Sequence, residues 1–313
     1  MANNVASVTM VLNGQTVNLT SLDGVTWTAQ FQVPSGSSFN LTNGKYAAQI
    51  TATYETGGST TVNGANSDAL SQKARLAVYE TTKPTASVVL PTANAYYTAS
   101  AQTLDFSIVD NSVQTTGYSG VKLSTLSAVL ASVSLGISHS YGASDFSQTA
   151  ITGGYRFTKN VVLDDALDWT LTINCDDNDG NHMDTVTIPF RVDTVAPLLS
   201  VDTPTVDFKT NVSQIACSGT TDGDVLRVEV DGVFVKNLTL VSGAFDESLT
   251  LSSEGEHTIS FIAIDAAGNR TTVNRTVTYS TAVPQITNIV FTPDPAQGGG
   301  VGTITVTVVP YES

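Results

Sequence analysis

The one chemically suggestive cluster in this chain is Asp176-Asp177-Asn178-Asp179-Gly180-Asn181. Several oxygen donors in a short, glycine-containing loop suit Ca²⁺, a hard cation that takes about six to eight oxygen ligands. Asp176, Asp177, Asp179 and Asn181 are the candidate metal ligands, and Asp193 in a nearby linker is a possible further carboxylate. No glutamate follows at the distance that would complete a calcium loop. Asx-Gly sequences are also ordinary hairpin turns, because Asn, Asp and Gly supply local hydrogen bonds and positive φ. Both readings stand at this level.

Other chemistry is hard to find. The three histidines, His139, His182 and His257, sit in contexts that suggest no common site. His257, at the entry to a strand beside Glu256, is expected to be an exposed polar residue. There is no nucleophile elbow, no phosphate-cradling glycine loop and no metalloprotease helix. Gly298-Gly299-Gly300 has no helix after it and reads as a turn. The expectation is a protein that is not an enzyme and needs no cofactor beyond a possible Ca²⁺.

The elements that must carry these residues are strands. Thr, Ser, Val, Gly and Asn are abundant and only 13% of the 313 residues are charged. Such a mix suits pleated surfaces joined by turns. Residues 122–133 read as a short helical turn or a strand, and the fold class is all-β. A net charge of −15 repels nucleic acid and anionic membranes, and no basic run offsets it. No stretch of ~18 apolar residues would cross a bilayer, and Met1-Ala2-Asn3-Asn4 starts no secretory signal. Cys175 and Cys217, in different repeats, are expected to be buried free thiols.

Proline-ended linkers cut the chain. Thr81–Thr85, Asp193–Pro197 and Thr281–Pro284 each precede an apolar strand, and proline tolerates the first strand position because it has no ladder N–H to lose. The resulting pieces are 1–82, an Ig-like domain lacking its first strands; 83–194, an Ig-like domain with inserted loops around 113–150; 195–281, an Ig-like domain; and 282–313, a two-strand tail. A late hairpin recurs in the first three, and Tyr46, Trp169, Phe261, Trp27, Phe245 and Phe31 are candidate core aromatics.

The first and third pieces are repeats of each other. Asn13-Gly14 aligns with Asp231-Gly232, Val17 with Val235, and Thr60–Asn63 with Thr271–Asn274. The third carries about thirty further residues before Val225 that the first lacks, and residues 284–309 look like those missing opening strands. A two-strand hairpin alone is barely stable in water. Strand addition, with Ile286, Ile289, Phe291, Ile304, Val306 and Val308 filling the groove, would complete the first domain within one chain or between copies.

The run ITGGYRFTKNVVLDDALDWTLTINCDDNDGN, with TNVSQIACSGTT, AIDAAGNRTTVNRTVTY and NIVFTPDPAQ, resembles bacterial Ig-like repeats. More narrowly, it is similar to Ig-like tail-region proteins of phages and prophages of Gram-positive bacteria. The resemblance implies tandem Ig-like β-sandwiches, a virion location, a structural or host-adsorption role, and partners that are copies of itself and other virion proteins. It carries no catalytic residues. Two alternatives accompany the structural reading. One is a receptor- or glycan-binding tail module using Tyr96, Tyr97, Tyr118 and Tyr141 against a host cell-surface glycan; the other is a fragment of a bacterial surface adhesin.

Overall fold

The structure, a computed structural model, describes residues 4–110, 117–292, 294 and 298–309. It is all-β, with short 3₁₀ turns, as the β-branched composition requires. No helix among the described residues is long and apolar enough to cross a membrane. Two compact units divide it: residues up to Ala95 together with Ala99–Val192, and Asp193 onward together with Tyr96–Thr98.

The first repeat is a single sheet. Its strands run in the order Trp27–Thr28, Gln15–Ser21, Val5–Leu12, Tyr46–Tyr54, Ser59–Asn63, with Arg75–Leu76 pairing beside Tyr46 and Ala47. One face is apolar: Val8, Met10 and Leu12 lie opposite Ala52, Ile50 and Ala48, and Val62 lies opposite Ile50. Val8, Leu12 and Ala48 are buried, whereas Met10 and Ile50 are only half-buried.

The second repeat is a true sandwich. One sheet carries Ile137–Tyr141, Val121–Ser132, Ala166–Asp177 and Val186–Val192 in spatial order; the other carries Ser147–Ile151, Gly154–Val162, Ala101–Val109 and Thr85–Leu90. Phe106, Phe157, Trp169, Leu171 and Phe190 fill the interior. Of residues 122–133, all but Val133 are therefore strand. The expected inserted loops are, from Val121 on, largely strands of the sandwich itself: Val121–Ser132 alternates in burial and has an inner face, and Ile137–Tyr141 and Ser147–Ile151 pair onto the sheets as edge strands. Residues 113–116 of that stretch lie outside the described residues.

The third repeat closes the same way. The strands Leu199–Thr203, Gln214–Thr221 and Ala244–Thr250 form one sheet; the other runs Phe208–Thr210, Arg270–Tyr279, Gly255–Ile264, Val225–Val230, Val233–Leu238. Val201, Ile215, Cys217, Phe245 and Leu249 pack against Leu226, Val228 and Phe261 in one buried cluster. The repeat correspondence holds at the backbone. Asn13 (φ 47°) and Gly14 (φ 76°) turn the first hairpin as Asp231 (φ 53°) and Gly232 (φ 78°) turn its counterpart. Two consecutive positive φ values make the two-residue turn that matches strand twist.

That correspondence sets Met10 against Val228 and Ile50 against Phe261. Val228 and Phe261 are fully buried beneath a covering sheet; Met10 and Ile50 are not. Among the aromatics expected in the core, Trp169, Phe245 and Phe261 are buried. Tyr46 and Trp27 stay half-buried and Phe31 is exposed. Among the described residues the first repeat has one sheet and no second sheet lies over them.

Candidate functional site

Three of the four candidate ligands, Asp177, Asp179 and Asn181, enter one cluster, and Asp176 does not. Asp177 ends the long strand Ala166–Asp177 and is fully buried. Its Oδ1 accepts from the backbone N–H of Asn181 (2.8 Å) and its Oδ2 from Asn181 Nδ2 (2.7 Å). The same Asn181 amide reaches the carbonyl of Glu80 in the linker after the first repeat (3.0 Å). Asp179 Oδ2 accepts the backbone N–H of Glu80 (2.9 Å). Asp176 points elsewhere, onto His182 Nδ1 at 2.5 Å at an exposed position. The alternation of a strand puts neighbours on opposite faces, so Asp176 and Asp177 could not both have entered one site.

The sequence reading missed two residues, Glu80 and Asp110. Asp110 stands at the end of the strand Ala101–Val109 and is fully buried. Its Oδ2 accepts from the backbone N–H of Gly120 (2.7 Å) and, at 3.4 Å, from Ser119 Oγ. Glu80, Asp110 and Asp177 bring carboxylate oxygens within 4.8 Å of one another. Glu80 accepts from the backbone N–H of Thr82. Burial, and then a hydrogen bond shared with Asp177, pushes the Glu80 carboxyl up to about 7. Burial likewise raises Asp110, and the nearby Asp177 and Asp179 add to it. Crowded carboxylates cannot all ionise freely away from water.

The third repeat contains the same clasp without an acid at the position of Asp179. Asp265 Oδ1 and Oδ2 accept from the backbone N–H and Nδ2 of Asn269, each at 2.9 Å, and Asn269 Nδ2 reaches back to the carbonyl of Asp193 (2.8 Å). The glycine before each asparagine, Gly180 and Gly268, has φ of 93° and 96°. The Asp-x-x-Gly-Asn spacing therefore ties a late hairpin to the linker that precedes its repeat. At the second occurrence Ala266 and Ala267 replace Asn178 and Asp179, and the clasp still forms. Asp193 directs its Oδ1 to the backbone N–H of Val195 (3.2 Å).

The hairpin Gln285–Thr292 with Thr303–Val309 is the second feature of note. Ile286 faces Val308, Ile289 faces Val306 and Phe291 faces Ile304 across the ladder. Opposed residues share a face, so these three pairs form one apolar surface on two strands. Every residue of both strands is exposed.

The tyrosines considered for sugar stacking lie on three separate elements. Tyr96 and Tyr97 form a two-residue strand. Tyr141 packs edge-on against Phe146 and under Lys159. Tyr118 lines a cleft with Ser37, Asn40, Tyr155 and Asn178. Both cysteines are buried free thiols. His257 is buried rather than exposed, held by Asp231 and the Ser253 carbonyl.

Comparison with known proteins finds one family model and several solved structures. Residues 197–281 match the family model described as glucodextranase, domain B. No curated protein sequence matches the chain. Among solved structures, fibronectin(III)-like modules of Clostridium thermocellum CbhA are 16% identical, covering 63% of this chain and 94% of theirs, with a TM-score of 0.37. The ICAM-5 D1–D4 ectodomain fragment is 12% identical over 78% of this chain and 63% of its own, TM-score 0.40. A structure from a 1.5-MDa bacterial ice-binding adhesin is 15% identical over 90% and 88%, TM-score 0.28.

Proposed function

We propose that this chain is a non-enzymatic structural subunit of a phage particle, tail-associated, that joins its neighbours by strand complementation. The observation that carries the assembly reading is the apolar face of the hairpin: Ile286, Ile289, Phe291, Ile304, Val306 and Val308, aligned in pairs and uncovered. Its occupant is a second copy, on the half-buried face of the first-repeat sheet around Met10 and Ile50. In the third repeat the equivalent face is covered by the pair Leu199–Thr203 and Gln214–Thr221. The hairpin matches that pair in spacing. From Thr203-Pro204 to Ile215 and from Thr292-Pro293 to Ile304 the separations are equal. Backbone pairing would supply affinity and the alternating side chains the register. The placement in a virion rests on the resemblance of the repeats to phage tail-region proteins.

Light scattering after size exclusion tests the assembly. The full chain gives concentration-dependent oligomers, and a version ending at Val283, or Ile304→Asp with Val306→Asp, gives monomers. Monomers for all three overturn intermolecular complementation; a destabilised truncation would then indicate completion within one chain.

A second reading has one observation in its favour. The cleft carrying Tyr118 and Tyr155 presents aromatic and amide groups together, the combination that takes a sugar ring. Binding of cell-wall glycan that is lost in Tyr118→Ala would support a receptor-binding module.

A further inference from the structure

We propose that Glu80, Asp110 and Asp177, with Asp179 beside them, hold one divalent cation, Ca²⁺, at the joint between the first and second repeats. The argument begins with charge. Glu80, Asp110 and Asp177 are all buried, and their oxygens converge to within 4.8 Å. That is about the separation of two oxygens on opposite sides of a Ca²⁺ ion, whose bonds run about 2.3–2.6 Å. Among the described residues no lysine or arginine forms an ion pair with any of the four acids. Residues 111–116, which follow Asp110, contain neither.

Hydrogen bonding gives the second, independent observation. Asp110 Oδ1 and Asp179 Oδ1 are buried and have no hydrogen-bond partner among the described residues. Their other oxygens are served, by Gly120 N and by Glu80 N, so both carboxylates are held by one oxygen and offer the other. A proton shared between Glu80 and Asp177 would relieve one repulsion and leave both free oxygens unserved. A cation serves several oxygens at once. Unserved buried carboxylate oxygens are costly, and hard oxygens with negative charge are what Ca²⁺ selects.

The third repeat is an internal control. Its clasp, Asp265–Asn269 on the Asp193 carbonyl, has the geometry of Asp177–Asn181 on the Glu80 carbonyl. It needs no acid at the position of Asp179, where Ala267 stands. Glu80 has a counterpart in Asp193: each accepts from the backbone N–H two residues on, and Glu80 Oε1 also accepts from Asn181 Nδ2 (3.3 Å). The Asp-x-x-Gly-Asn turn and its linker cap thus account for Asp177, Asn181 and Glu80 but not for Asp110 and Asp179. Those two are additions at the first joint, they carry the two unserved oxygens, and a cation gives them a common purpose. Binding would tie the linker at Glu80 to the ends of two sandwich strands and stiffen the first two repeats as one unit.

The test uses the full chain, stripped with chelator and titrated with CaCl₂ by calorimetry, with melting followed in parallel. One Ca²⁺ binds per chain and raises the melting temperature. Asp110→Asn weakens binding on the order of tenfold or more, as does Glu80→Gln, while Asp176→Asn, outside the cluster, binds like the wild type. If Asp110→Asn fails to fold, Glu80→Gln decides the matter. No heat and no thermal shift up to about 10 mM, above the range of weak calcium modules, overturn the proposal. So does equal loss in Asp176→Asn, which would place the ion in the exposed loop. Stabilisation by MgCl₂ equal to that by CaCl₂ overturns the assignment to Ca²⁺.

Discussion

His257 Nδ1 lies 2.8 Å from Asp231 Oδ2 while its Nε2 lies 3.0 Å from the carbonyl of Ser253. Both partners are acceptors, so both ring nitrogens must donate, and only the imidazolium does so. The Asp231 carboxylate, then the Ser253 carbonyl, holds the histidine above its ordinary value near 6.5, against the opposing effect of burial. The pair also fixes the turn Asp231-Gly232, because Asp231 Oδ1 accepts the backbone N–H of Thr258 (2.8 Å).

Stability of the third repeat is therefore pH-dependent with a definite sign. A raised histidine contributes fully below its unfolded value and loses that contribution as pH rises through its folded value. Asp231 is lowered, first by His257, so its contribution is present above the unfolded carboxylate range and lost in acid. Urea midpoints followed by tryptophan-independent circular dichroism should plateau in mildly acidic buffer and decline above neutrality. His257→Gln should remove the alkaline decline; a decline that persists unchanged would assign it to other groups.

Arg156 grips Asp105 with two bonds, Nε to Oδ1 at 2.8 Å and Nη2 to Oδ2 at 2.5 Å. Asp105 is buried and Arg156 half-exposed. Removing the arginine leaves a buried carboxylate without its charged donor. Arg156→Ala should cost about 2 kcal/mol, with Asp105→Asn in that background recovering part of it. The guanidinium also keeps the Asp105 carboxyl below its ordinary range, so the pair's contribution disappears as pH falls. Additive losses in the double variant would show that the two side chains act independently.

Much of this was legible in the sequence, and the remainder fails for identifiable reasons. Alternation and the Asn-Gly and Asp-Gly turns reveal strands and repeat correspondence because both are local. The pairing of Ile286, Ile289 and Phe291 with Val308, Val306 and Ile304 is nearly as local. Asp110 and Glu80 were invisible because a strand end and a linker far apart in sequence bring them to Asp177, and no spacing rule encodes such a meeting. Asp176 was misplaced because adjacency in sequence was read as adjacency in space, which strand alternation forbids. His257 was misjudged from its neighbour Glu256, when its partner is the turn residue Asp231. The recurrence of Asp-x-x-Gly-Asn at 177–181 and 265–269 was the available signal for the clasp.

Cys175 and Cys217 should be inert in the folded chain. Burial pushes the Cys217 thiol up to about 11 and raises Cys175 as well. The thiolate is the reactive form, and neither sulfur is accessible. A colorimetric thiol assay at pH 8 should register almost nothing until urea is added, then two thiols per chain. Prompt reaction of one thiol in the native state would mark a local opening of its sandwich.

Phe261 and Ile50 occupy equivalent positions under unequal cover, and that inequality measures the missing sheet. Phe261 is fully buried and stacked 6.0 Å from Phe245. Truncation to alanine should cost about 3–5 kcal/mol. Ile50 is half-buried, so Ile50→Ala in a dilute monomer should cost on the order of 1 kcal/mol, since only part of its surface leaves water. If the hairpin of a second copy covers this face, the cost of Ile50→Ala grows with protein concentration while that of Phe261→Ala does not. Denaturation at two concentrations a hundredfold apart separates the cases. A cost for Ile50→Ala that stays constant would mean its face remains open in the assembled protein, and would locate the hairpin's partner elsewhere.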